Sequence, residues 1–354
     1  MPINYPDIRE AELLTPGPRR LFLGAYGFED RSMGWPDRQA NQQGVIDKAL
    51  FFRYRRPKGK NKISILRRCL QSMGAARLPD LGLDPQHVHG LQDALREHLF
   101  SDPVDEVVLD ISAMTKLLIL ICLCALADFG GRVRIVYTEA LTYAPSEEEY
   151  RALEGSAELI ARFPSRGFES IVRVKCLSSI RMQGQPVTLV AFTSFNEQLV
   201  RHMLGTLNPH RLIFIGSRPP TAGYKWRERA TQDIHAKVLE EYSEDNPRGP
   251  DGLLLRSTST LDYRETKYEM DELCARYGAY ERIICAATGS KMQTVGLFFA
   301  KMAHPDVHIE YPTPDSYYVS GLSEGVKRVH EILIPHFSKL LKDSRLLSPT
   351  AELD

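Results

Sequence analysis

Short apolar runs alternate along this chain with amphipathic stretches of helical period. Leu21 to Ala25, Ala49 to Phe52, Val107 to Ile111 and Arg134 to Tyr137 read as buried strands. Between them, Lys62 to Met73 places Ile63, Leu66, Cys69, Leu70 and Met73 on one helical face, and Leu91 to Phe100 repeats that spacing. Trp226 to Tyr242 and Tyr263 to Tyr277 fill similar places further on. Leu117 to Ala127 is the most apolar stretch, far below the roughly 20 residues a membrane span needs, and reads as a buried core helix. Alternating strands and helices predict an α/β protein with mainly parallel sheets, helices on both faces and right-handed crossovers.

Four segments of the first half recur in the second, in the same order and at an offset of roughly 160–175 residues. Leu21-Phe-Leu-Gly-Ala-Tyr-Gly-Phe-Glu-Asp30 matches Thr188-Leu-Val-Ala-Phe-Thr-Ser-Phe-Asn-Glu197. Ala49-Leu-Phe-Phe-Arg-Tyr-Arg-Arg56 matches Arg211-Leu-Ile-Phe-Ile-Gly-Ser-Arg218. Val107-Val-Leu-Asp-Ile-Ser-Ala-Met-Thr-Lys116 matches Ile283-Ile-Cys-Ala-Ala-Thr-Gly-Ser-Lys291. Arg134-Ile-Val-Tyr-Thr-Glu139 matches His308-Ile-Glu-Tyr-Pro-Thr313. The expected organisation is a first Rossmann-like half over 1–150, a connecting segment over 151–183 and a second Rossmann-like half over 184–322. A docked C-terminal helix with a loose tail is expected over 323–354, from the spacing of Val326, Val329, Ile332, Leu333, Phe337 and Leu340. Within the connecting segment, Glu154 to Phe163 reads as helix and Ser170 to Leu177 as strand.

The 354 residues are 43% apolar and 25% charged, with Lys+Arg 45 balancing Asp+Glu 45. Zero net charge argues against bulk electrostatic binding of nucleic acid or membrane and leaves room for a local basic groove. The start, Met-Pro-Ile-Asn-Tyr, lacks the pattern of a signal peptide. No C-x-x-C pair occurs among the six cysteines, so reduced core cysteines and a cytoplasmic location are expected. His87 and His89 lack a third ligand, so no metal and no cofactor are expected.

The strongest local signal is Ala287-Thr-Gly-Ser-Lys-Met292, which follows a buried strand and opens a helix. A helix N-terminus presents unpaired N–H groups and partial positive charge, so it suits an anion. Thr288, Gly289, Ser290 and Lys291 are the candidate ligand-binding residues here; the alternative is an ordinary cap by Thr288 or Ser290. Ser112, Thr115 and Lys116 are their counterparts, with Met114 where the glycine would stand. Gly24-Ala-Tyr-Gly-Phe-Glu-Asp-Arg31 ends the first strand, where ligands of parallel sheets bind. Gly27 and Arg31 are candidate ligand contacts, Ser194 their counterpart, and Glu29 and Asp30 candidate catalytic carboxylates. Alternatively Asp30 or Ser32 caps the next helix and Arg31 pairs with a carboxylate. A basic run, Arg53, Arg55, Arg56, Lys58, Lys60 and Lys62, with Tyr54 as a stacking surface, is a candidate polyanion contact. Arg218 and the Lys225, Arg227, Arg229 and Trp226 cluster occupy the matching place.

From Ile283 to Pro312 the chain resembles the end of a CARF domain: a strand, a Thr-Gly-Gly-Thr-Lys-like loop, a helix and a strand carrying Tyr. The loop reads Thr288-Gly289-Ser290-Lys291, one residue shorter, and a fainter copy runs from Ser112 to Lys116. The resemblance implies a Rossmann-like sensor of cyclic oligonucleotides in bacterial immunity, with two fused copies as in the related SAVED domains. No nuclease or other effector motif follows. The function expected is a nucleotide-binding sensor or regulatory protein. The alternatives are a nucleotide-processing enzyme acting at phosphate or ribose through Glu29 and Asp30, and a non-catalytic partner subunit of a defence complex. The expected partners are a nucleotide or cyclic oligonucleotide, a protein of such a complex, and nucleic acid at the basic loops, with no membrane.

Overall fold

Side chains alternate sides along a strand, so a strand buried at every position must be covered on both faces. Arg20–Ala25 and Glu106–Asp110 are buried throughout, and this pattern sets the architecture. The computed structural model describes residues 3–54, 61–85, 87–153, 157–246, 249–317 and 322–346. In chain order the strands are β1 Ile8–Glu10, β2 Arg20–Ala25, β3 Lys48–Tyr54, β4 Ala76–Arg77, β5 Leu81–Leu83, β6 Glu106–Asp110, β7 Arg132–Glu139, β8 Thr142–Tyr143, β9 Ser165–Arg166 and β10 Ser170–Arg173. There follow β11 Val187–Phe192, β12 Arg211–Arg218, β13 Leu253–Ser259, β14 Arg282–Ala286, β15 His308–Thr313, β16 Ser316–Tyr317, β17 Ser323–Glu324 and β18 Arg328–Ile334. The helices are α1 Gly34–Ala40, α2 Ile63–Ser72, α3 His89–Ser101, α4 Lys116–Ala125, α5 Glu147–Ala152, α6 Ala157–Ala161, α7 Glu197–Leu207, α8 Trp226–Asp245, α9 Tyr263–Tyr277, α10 Lys291–Ala303 and α11 Phe337–Leu346.

The chain divides into two compact units, Met1–Ser146 with Val319–Leu341, and Glu147–Tyr318 with Lys342–Asp354. In the first unit the sheet runs β1-β18-β7-β6-β2-β3-β4, with β5 also on β3. Strands β7, β6, β2 and β3 are mutually parallel, and Leu23 sits between Leu50 and Leu109. One face packs Phe22, Ala49, Phe51, Val108 and Val136 against Trp35 and against Ile63, Leu66 and Leu70 of α2. Residues of the other face, Leu21, Leu23, Leu50, Phe52 and Leu109, are equally buried. Every residue of α4 from Leu117 to Ala125 is buried, as expected of a core helix.

In the second unit the order is β10-β15-β14-β11-β12-β13, again parallel except for β10. Leu189, Ala191, Leu212, Phe214 and Ala286 pack on Val200 and Met203 of α7. Each unit is thus an α/β layer structure built on a mainly parallel sheet. The two share one strand order: β3-β2-β6-β7 corresponds to β12-β11-β14-β15, with an antiparallel strand added beside β7 or β15. That order matches the four segment pairs found in the sequence.

The segment Ser323 to Leu341 corrects the expectation of a single helix. Arg328–Ile334 is the strand β18, paired antiparallel with β7 and β1, and only Phe337 onward is helical. Two of its polar positions, His330 and Glu331, mimicked the wet face of a helix, but they are buried and paired. His330 Nε2 lies 2.8 Å from Glu139, and Glu331 pairs with Arg134 and, at 2.9 Å, with Arg9. Only Ser170–Arg173 of the expected Ser170 to Leu177 strand is extended, and Lys175–Leu177 is a 3₁₀ turn.

Candidate functional site

In an open parallel sheet, ligands bind beyond the carboxyl ends of the strands where the order reverses. The reversal lies between β2 and β6 in the first unit and between β11 and β14 in the second. The loops at these points hold most of the residues singled out above.

At the first crevice, the loop after β6 is fixed from several sides. Asp110 Oδ1 accepts the Ser112 N–H at 2.9 Å, and Ser112 Oγ accepts the Thr138 N–H at 2.9 Å. Thr115 caps α4 by accepting the Leu118 N–H at 3.3 Å. Tyr54, expected as a stacking surface, instead clamps this loop: its hydroxyl accepts from Thr115 N at 2.9 Å and donates to the Ala113 carbonyl at 3.1 Å. Gly27 passes so close that a Cβ there would sit 2.6 Å from Ala113 Cβ. Met114, in the place of the glycine, is buried in the core. Lys116 is the first residue of α4, and desolvation lowers its pKa to about 8.

The acidic turn beside it is closed by ion pairs. Arg31 Nη2 donates to Glu29 Oε2 at 2.8 Å, and both side chains are about nine-tenths buried. Burial alone would lower the Arg31 pKa, but Glu29 together with Tyr137 and Tyr143 outweighs it and the value rises. Arg31 Nε is buried without a partner, as is Thr138 Oγ1. Ser323 Oγ donates to Glu29 Oε1, and Gly325 N–H donates to Asp30 Oδ2 at 2.8 Å. Lys62 pairs with Asp30 and lowers its pKa, chiefly through their hydrogen bond. Burial, with Tyr143 nearby, pushes the Tyr137 phenol well above its usual value. Neither Asp30 nor Ser32 caps α1; Asp30–Ser32 is a 3₁₀ turn with no side-chain cap.

At the second crevice, Thr288 is a strand tie: its Oγ1 accepts the Phe192 N–H at 2.9 Å and donates to the Phe192 carbonyl at 2.8 Å. Ser290 caps α10 in a reciprocal box with Gln293, at 3.0 and 2.7 Å, and also donates to the Thr260 carbonyl at 2.9 Å. Gly289 runs over Phe192 and Gln293; a Cβ there would meet Gln293 Oε1 at 2.3 Å. Ser194 Oγ bridges the Asn196 backbone, and Asn196 Nδ2 donates to the Gly167 carbonyl at 3.0 Å. Lys291 is half-buried and, like Lys116, is the first residue of its helix.

The basic candidates separate. Arg53 is exposed, Arg218 pairs with Glu265, and Arg55 and Arg56, with Lys58 and Lys60, lie outside the described residues. Trp226 packs with Tyr150, Phe195 and the Arg227 guanidinium and, half-buried, lines a cavity with Tyr150, Lys225 and Arg229. Among the described residues no group of three metal-ligating side chains occurs, all six cysteines are unpaired with one another, and no helix is long and apolar enough to cross a membrane. Sequence reasoning missed Ser323, Gly325, Ser165 and Gly167; the Ser-x-Gly spacing they share also occurs at Ser32 to Gly34 and Ser72 to Gly74 and does not single them out.

No family model matches the chain, and no curated relative matches it in sequence. Among solved structures it is similar to a type III CRISPR defence DNA nuclease activated by cyclic oligoadenylate, at 12% identity and a TM-score of 0.47, over 82% of this chain and 65% of that one. It is also similar to Can2 from Sulfobacillus thermosulfidooxidans in complex with cyclic tetra-adenylate, at 19% identity and a TM-score of 0.26, over 40% of this chain and 37% of that one. A universal stress protein from Archaeoglobus fulgidus is similar at 10% identity and a TM-score of 0.23, over 83% and 96%. The chain spans less than two thirds of the length of the first two. With scores this low, the fold class rests on the strand order and register given above.

Proposed function

We propose that the chain is a nucleotide-binding sensor. Its ligand is a phosphorylated nucleotide, of the cyclic oligonucleotide class that the CARF and SAVED resemblance implies, read in a bacterial immune system. The observation that carries this reading is the pair of lysines. Lys116 and Lys291 each open a helix at the point where the strand order reverses, each one residue after a capping hydroxyl residue. A cation beside a helix N-terminus suits a phosphate. The internal bonds of Ser112, Thr115, Thr288 and Ser290 fix the loops that carry the two lysines.

A phosphate beside Lys116 would favour its charged form, raising a pKa that now stands at about 8. Ligand binding at the first crevice therefore takes up a proton near pH 8 and weakens as pH rises through that value. Calorimetry in two buffers of different ionisation enthalpy measures this uptake, and it disappears in Lys116→Met.

The reading is tested by a thermal-shift screen of the purified protein against mono-, di- and cyclic oligonucleotides. A ligand of the folded state raises the melting temperature by mass action. No shift with any nucleotide overturns the sensor reading and favours a partner subunit of a defence complex. That second reading draws on Met114, which fills the place of the loop glycine with a core side chain.

A further inference from the structure

The edge strands do not follow the order of the repeats. In the first repeat, β7 is followed by β8, β9 and β10; in the second, β15 is followed by β16, β17 and β18. Tyr137 and Tyr143 approach to 3.5 Å between hydroxyls, and Tyr311 and Tyr317, their counterparts, to 3.3 Å. The next strands carry Ser165-Arg-Gly167 and Ser323-Glu-Gly325. Both glycines are left-handed, with φ of 66° and 68°. From there one constant offset relates Ser165 to Ser323, Gly167 to Gly325, Ile171 to Val329 and Val172 to His330. The longer connection in the first repeat, between Tyr143 and Ser165, holds α5 and α6.

The pairing crosses over. Strand β9 of the first repeat pairs with β16 of the second, as Ser165 opposite Tyr317, while β17 of the second pairs with β8 of the first, as Ser323 opposite Tyr143. Strand β10 joins β15, with Ile171 opposite Pro312, and β18 joins β7, with Val329 opposite Thr138. We infer that the two repeats exchange their C-terminal strand pairs, so that each crevice is completed by a Ser-x-Gly turn donated by the other repeat. Ser323 and Gly325 are positioning residues for Glu29 and Asp30; Gly167, with Ser165 beside it, is the positioning element for Asn196. Buried charge holds the exchange in the first unit, where Glu331 of β18 sits between Arg134 and Arg9. None of this depends on what occupies the crevices.

Residues directly opposite in an antiparallel pair lie about 4.5–5.5 Å apart at Cα, within reach of a disulfide. The test uses the full chain in four double-cysteine forms under mild oxidation, read by peptide mass spectrometry. The exchanged arrangement links Thr138→Cys to Val329→Cys, and Ile171→Cys to Pro312→Cys. The in-line arrangement, with each strand on its own repeat, links Thr138→Cys to Ile171→Cys, and Pro312→Cys to Val329→Cys. Links in the in-line pairs, or none in the exchanged pairs, overturn the inference. Glu331→Ala gives a second readout that needs no cross-link. The two tryptophans, Trp35 and Trp226, lie one in each unit. The exchange predicts that this change near the C-terminus lowers the denaturation midpoint read by Trp35 in a Trp226→Phe background, and leaves that read by Trp226 in a Trp35→Phe background. A shift seen by Trp226 alone contradicts it.

Discussion

Glu106→Ala unfolds the first unit at a clearly lower urea concentration, with a loss of about 3–5 kcal/mol. Glu106 is wholly buried and anchors two arginines that are also buried: Arg20 at 3.1 Å and Arg134 at 2.7 Å. Removing the carboxylate leaves the Arg20 guanidinium without its counter-ion, and Arg134 with Glu331 alone, in a site of low polarity, where an unpaired charge costs far more than the pair contributes. Glu106→Gln keeps an acceptor and loses less. Replacing Glu106, Arg20, Arg134 and Glu331 together by apolar residues of similar volume restores much of the loss, because no buried charge is then left behind and Arg9 keeps Glu12. Trp35 fluorescence in a Trp226→Phe background reads the first unit by itself.

Glu29→Ala is expected to cost a similar amount, about 3–5 kcal/mol, by stranding Arg31. Glu29 is the carboxylate that partners Arg31 at 2.8 Å, and both are buried. Glu29→Gln keeps one acceptor, its amide oxygen, for Arg31, while its NH₂ can donate to the Ser323 hydroxyl, and it stays folded. The pair of variants therefore separates a structural role from a catalytic one. Turnover of any nucleotide that is lost in Glu29→Gln, while binding is kept, supports the nucleotide-processing alternative. Binding kept with no turnover in the wild type or the variant leaves Glu29 as the fixed counter-ion of Arg31.

Much of this fold was legible because apolar periodicity survives wherever a single face decides burial. The helices at Lys62, Leu91, Trp226 and Tyr263, and the four matched strands of each half, came directly from that pattern. The strand Arg328–Ile334 did not, because His330 and Glu331 are buried polar residues whose partners, Glu139, Arg134 and Arg9, lie far away in sequence. A local reading assigns such residues to solvent. The loops were legible as places but not as chemistry. Ser290 proved to be a cap and Thr288 a tie between strands, roles that depend on Gln293 and Phe192. Tyr54 became a clamp because its strand end faces the Ser112 loop, a proximity set by the parallel sheet. The Ser323 and Gly325 contacts with Glu29 and Asp30 need the crossed strand pairing and could not be read from spacing.

The central claim is that Lys116 and Lys291 mark two phosphate-binding crevices. Isothermal calorimetry with the nucleotide that most raises the melting temperature tests it most directly, on the wild type, Lys116→Ala and Lys291→Ala. A charge-assisted hydrogen bond is worth about 1.5–3 kcal/mol, so Lys291→Ala should weaken binding by roughly 10–100-fold with the fold intact. Lys116→Ala should remove the proton uptake near pH 8. Affinity unchanged in both variants would contradict the account.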